Sequence, residues 1–135
     1  MADTSSTTIT SKEYSSGIKI VTCVFVADET VATTLTACTL GAERGKELVN
    51  VFTKGVAATG FTDNCDLSIT DSITGRNLVA TNGANSVDNN ATNYVVPETE
   101  SIVIGELVVD PDAADENAVT DGICTVYLVF KSRFC

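Results

Sequence analysis

The chain has 135 residues, 44% apolar and 19% charged, with a net charge of −10; that length suits one domain with a genuine core, and that composition excludes a disordered or low-complexity chain. Eighteen acids against eight bases exclude a nucleic-acid binder, whose phosphate contacts need a basic patch. The absence of histidine removes the commonest general base and metal ligand, and no apolar run is long enough for a membrane span.

Residues 1–16, "MADTSSTTITSKEYSS", lack the basic start and apolar run of a signal peptide. A soluble product made in a cytosol is therefore expected. The segment is rich in Ser and Thr yet carries the β-capable Thr7, Ile9 and Thr10, which makes it an N-terminal arm with candidate assembly contacts at those three positions. Residues 17–135 are expected to form a single β domain.

From Gly17 onward the hydrophobic period is two. "GIKIVTCVFV", "VATTLTAC" from Val31, "ELVNVFT" from Glu47, "CDLSIT" from Cys65, "SIVIGELVV" from Ser101 and "ICTVYLVF" from Ile123 are short, β-branched or aromatic, and divided by Gly, Asn, Asp or Pro. "VATTLTAC" alternates as a half-buried strand, whereas "IVIGELVV" and "ICTVYLVF" are apolar on both faces. Such strands are central in a sandwich or have an outer face covered by another subunit. "GAERGKELVNVF" admits a helix with Leu48 and Phe52 four apart, but Gly45 interrupts it and a strand is favoured. Residues 80–97 read as a long polar loop.

The five cysteines show no CxxC spacing, and Cys23 and Cys124 lie inside apolar runs, so they read as buried, reduced thiols. The acids are unevenly spread: residues 61–121 hold twelve of them against Arg76 alone. In "TDNCDLSITDSITGR", Asp63, Asp66 and Asp71 fall within fifteen residues. Leu67 and Ile69 would face inward from a strand, Asp71 would open a turn by accepting backbone N–H groups, and Gly75 would supply positive φ near its end. Asp63 and Asn64 stand before the strand as turn formers. A catalytic pair would need a partner to raise one carboxyl pKa, and neither histidine nor lysine lies near these acids. "DPDAADENAVTD", Asp110 to Asp121, holds five acids but lacks the central glycine and closing bidentate glutamate of an EF-hand loop, so an acidic turn is expected there. Neither a metal nor a cofactor is expected, and no enzyme motif is present.

The run "KGVAATGFTDNCDLSITDSITGRNLV" resembles a pattern of small virion structural proteins of tailed bacteriophages: a glycine-bearing turn, Thr-Asp-Asn, an aspartate-led strand ending in Thr-Asp, and a further glycine before another short strand. The matching positions are Thr62, Asp63, Asn64, Asp66, Leu67, Ile69, Thr70, Asp71, Gly75 and Leu78. "VIGELVVD" and "CTVYLVFKS" are similar in order and spacing. The resemblance implies a capsid decoration or cement protein at the surface of the virion. Such a protein would bind the major capsid protein as a homo-oligomer or as lattice-ordered copies, and would stabilise an icosahedral shell by bridging capsomers. A tail or head-to-tail connector component, or a carbohydrate- or surface-binding β module, is the alternative. The strand rhythm itself gives an all-β fold, an antiparallel sandwich of six to nine strands, with a partly closed barrel as the other way to close the sheets.

Overall fold

A computed structural model describes residues 5–27, 37–57, 66–83, 92–111 and 122–132. Within them the chain forms eight strands: β1 (Ser5–Glu13), β2 (Ile18–Ala27), β3 (Cys38–Leu40), β4 (Lys46–Ala57), β5 (Ser68–Asp71), β6 (Thr92–Val95), β7 (Leu107–Asp110) and β8 (Gly122–Ser132). They make two antiparallel sheets, a five-stranded one in the order β1-β2-β8-β4-β6 and a three-stranded one in the order β3-β7-β5. The sheets do not close into a barrel, and the fold is an all-β sandwich.

Alternation decides which residues meet between the sheets. β2 turns Val21, Cys23 and Phe25 inward, and β8 turns Cys124, Val126, Leu128 and Phe130 inward. The small sheet answers with Leu40, Ile69, Leu107 and Val109. Phe25, Phe130, Leu48 and Leu107 are fully buried, each contributing about 1.5–3 kcal/mol by leaving water. In β4 the register shifts between Leu48 and Asn50, a β-bulge. The extra residue reverses the alternation, so Leu48 and Val51 both point inward while Phe52 points out. Of residues 41–52, the segment that admitted a helix, Lys46 onward is thus strand and the rest is the connection before it.

Two expectations differ from the structure. Over Ser5–Glu13 the segment expected as an arm is an edge strand paired residue for residue with β2, from Ser5 opposite Ala27 to Glu13 opposite Lys19. A four-residue turn from Tyr14 to Gly17 folds it back; Gly17 adopts φ +80° and donates its N–H to the Tyr14 carbonyl at 3.2 Å. "SIVIGELVV" is broken: only Leu107–Asp110 belongs to β7, while Ser101–Val103 run against Gly45–Leu48, with Val103 N–H donating to Lys46 O and Leu48 N–H to Ser101 O, both at 2.9 Å. The break lies at Gly105, where a carboxylate takes the backbone donors. Of residues 80–97, Ala80–Gly83 form a 3-10 turn and Thr92–Val95 form β6, with 84–91 outside the described residues. A Cβ on Gly83 would strike the carbonyl oxygen of Leu67, whose N–H donates to Gly83 O at 2.8 Å.

Candidate interaction surface

The acid-rich stretch is organised around Asp71. Its side chain is fully buried at the end of β5. Oδ1 accepts from the N–H groups of Ile73 (2.9 Å), Thr74 (3.2 Å) and Gly105 (3.2 Å), and Oδ2 accepts from Ile104 (2.7 Å) and again Gly105 (3.2 Å). Burial by itself pushes the carboxyl pKa up. The backbone donors of Ile104, Ile73, Gly105 and Thr74 outweigh it and hold the group below its ordinary value of 3.8. A carboxylate saturated by N–H donors has no lone pair directed to a cation or a reacting proton, so this arrangement does structural work. It closes the 71–75 turn, where Gly75 adopts φ +71° and donates to Asp71 O at 2.8 Å, and it ties that turn to the 104–105 bend. A Cβ on Gly105 would come within 2.7 Å of Ile73 Cγ1 and 3.1 Å of Asp71 Oδ1.

Several supporting residues carry no sequence signal of their role. Asn77 Oδ1 accepts from Ile69 N–H at 3.1 Å and Val79 N–H at 3.2 Å. Arg76 donates to the carbonyls of Thr99 (2.6 Å) and Glu100 (2.8 Å), where Glu100 sits at φ +56°. Glu43, buried, takes Lys19 Nζ at 2.9 Å and Lys46 Nζ at 3.2 Å, joining β2, the β3–β4 connection and β4. Asp63, Asn64, Cys65 and Cys135 lie outside the described residues, as does the acidic 112–121 segment. Among the described residues, no group of three or more His, Cys, Asp and Glu is placed to hold a metal, and no helix is long and apolar enough to cross a membrane.

The outward faces of the two sheets differ in kind. The small sheet turns out Thr39, Ser68, Thr70, Val108 and Asp110, a polar surface suited to water. The five-stranded sheet turns out Ile20 and Val24 from β2, Ile123, Tyr127 and Val129 from β8, Phe52 from β4 and Tyr94 from β6, interleaved with threonines. Tyr94 is 55% exposed, and its ring lies 5.2 Å from that of Phe52 while its hydroxyl donates to Asn50 Oδ1 at 2.7 Å. Among the described residues the charges on this face are Lys12, Lys54, Lys131 and Glu47, three cations to one anion on a chain of net charge −10. A groove of about 320 Å³ runs across it between Thr10, Lys12, Tyr14, Ile20, Thr22 and Tyr127. Nothing in the described chain covers this face.

Thr7, Ile9 and Thr10 all fall on β1. Thr10 stands on the outward face opposite Thr22; Thr7 and Ile9 stand on the inward side opposite Phe25 and Cys23. Ile9 is 45% exposed at a recess of about 190 Å³ lined with Val21 of β2 and Leu40 of β3.

No family model and no curated protein matches this chain. A solved chain described as the cyanophage Pam1 capsid asymmetric unit aligns over 92% of this chain and 86% of its own, at 15% identity and a TM-score of 0.33. A likeness of that level carries no argument about fold or function.

Proposed function

We propose that this chain is a non-enzymatic structural protein of a phage virion, held on the capsid lattice by the outward face of its five-stranded sheet and stabilising the shell by bridging neighbouring capsomers. The observation that carries this reading is the apolar, lysine-rimmed face, on a protein whose other sheet face is polar. An antiparallel sheet with one solvated side normally turns polar residues to water, and exposed apolar side chains gathered on one outward face, here Phe52, Tyr94 and Ile123, are the mark of a docking surface. The excess of lysine on it suits an acidic partner surface on the major capsid protein. Binding at many equivalent lattice sites allows modest individual contacts to hold. The sequence resemblance of residues 54–79 to virion proteins supports the same reading.

Quantitative mass spectrometry of purified particles tests it. The protein is expected in a copy number comparable to that of the major capsid protein, and particles stripped of it should lose thermal stability and regain it on add-back. A handful of copies per particle would assign it to a connector instead, and absence from particles would overturn the reading.

A further inference from the structure

We propose that two copies of this protein pair through the free edge of β1, antiparallel and centred on Ile9, so that their five-stranded sheets join into one continuous sheet. This goes beyond the virion reading and stands whether or not the chain belongs to a capsid.

The direction of the β1 backbone groups follows from two hydrogen bonds. Tyr14 N–H donates to Ile18 O at 2.8 Å, so in the β1–β2 register the pairs that exchange hydrogen bonds fall on the even-numbered residues of β1. Ser132 N–H donates to Gly17 O at 2.9 Å, which places the odd-numbered residues of β2 against β8 and leaves its even-numbered ones for β1, in agreement. The N–H and C=O groups of Ser5, Thr7, Ile9, Ser11 and Glu13 therefore point away from β2. Among the described residues no strand lies on that side.

An edge of this kind is normally protected by shortness, a bulge, proline or inward-pointing charge. β1 has nine residues in unbroken register and no proline, and its one inward-side charge, Glu13, stands at the very end of the strand. Lys12 stands on the outward face with its amine 5.3 Å from the ring of Tyr14, folded onto its own chain. The opposite edge of the sheet, β6, is only four residues long.

One two-fold axis pairs β1 along its whole length. Centred on Ile9, an antiparallel partner sets Ile9 against Ile9, Thr8 against Thr10, Thr7 against Ser11, Ser6 against Lys12 and Ser5 against Glu13. No like charges oppose, and all five outward-pointing residues pair, giving about ten backbone hydrogen bonds. Any shift of the axis leaves residues at one end of β1 without a partner in the strand: Lys12 and Glu13 for an axis at Thr8, Ser5 and Ser6 for one at Thr10, and more for larger shifts. The Ile9 register also covers the most exposed apolar side chain of the strand, since the two Ile9 side chains meet where each copy has its open recess.

Sedimentation equilibrium and amide hydrogen exchange on the full chain test the pairing. The parent is expected to be dimeric, with the amides of Thr7, Ile9 and Ser11 as protected as those of Thr8, Thr10 and Lys12. Ile9→Pro removes a donor that points to the partner and none that points to β2. It should weaken self-association by at least about tenfold while leaving the β-type circular dichroism unchanged. Should the proline variant fail to fold, Ile9→Lys, which sets two cations face to face on the axis, should give the same loss. A monomeric parent whose Thr7, Ile9 and Ser11 amides exchange freely would overturn the proposal, as would folded variants that dimerise with unchanged affinity.

Discussion

Asp71 shows how one side chain can define a corner. Its four backbone donors come partly from the adjoining turn and partly from residues 104 and 105, so replacing it leaves N–H groups without their acceptor in two segments at once, that of Gly105 in a buried site. Asp71→Asn keeps the volume but turns an amide NH2 toward N–H groups, and should cost about 2 kcal/mol at pH 6. The pH dependence has a definite sign. The folded pKa lies below 3.8, so as pH falls the unfolded chain takes up the proton first. The stabilisation is complete above the ordinary carboxyl value and is lost as pH falls through the folded one. Urea midpoints measured from pH 6 downward should show the parent converging on Asp71→Asn in acid, and a gap that stays constant would rule out the charge as its cause. The turn itself was legible: an aspartate four residues before a glycine signals backbone capping. The second pair of donors was not, because nothing in "IVIGELVV" announces that Ile104 and Gly105 leave the strand to meet a carboxylate more than thirty residues away in sequence.

Among elements, local period was a good guide to strands and a poor one to their ends. β2, β5 and β8 follow their alternation, whereas the bulge in β4 and the break before β7 come from tertiary contacts. Ser5–Glu13 resembled an arm because it lacks a hydrophobic face, yet an edge strand hydrogen-bonded on one side needs little apolar surface of its own. The Lys19–Glu43–Lys46 cluster likewise had no motif, being assembled from β2, β4 and the connection before β4. Glu43→Gln leaves two lysines without their anion in a nearly closed site and should cost about 2–3 kcal/mol, with little relief in 1 M salt because the pairs are poorly screened. An effect that vanishes in salt would mark the cluster as superficial. Between the sheets, Cys23 on β2 is hydrogen-bonded to Cys38 on β3; that bond and burial push the Cys23 thiol pKa far up, so it stays protonated and unreactive. Alkylation mapped by mass spectrometry should label Cys23, Cys38 and Cys124 only after denaturation, and rapid labelling of Cys23 in the folded protein would contradict this packing.

For the whole molecule, the asymmetry between a polar small-sheet face and an apolar large-sheet face separates stability from attachment. Residues of the inner layer hold the fold, while Phe52 and Tyr94 pair with each other on the outward face, the Tyr94 hydroxyl bonded to Asn50, and stand partly exposed to water. Truncating both to alanine removes a cross-strand aromatic pair worth about 1 kcal/mol and should lower the melting temperature by only a few degrees. If the face docks on the capsid, the same two rings become fully buried there, and aromatic anchors of that kind carry a large share of binding energy. The double variant should then occupy stripped particles at least about tenfold less tightly than the parent. Lys54→Glu, which reverses a rim charge and leaves the rings in place, should slow association more than it speeds release. Unchanged occupancy for the aromatic variant, with its fold intact, would move the attachment site away from this sheet face and leave its apolar character to self-association.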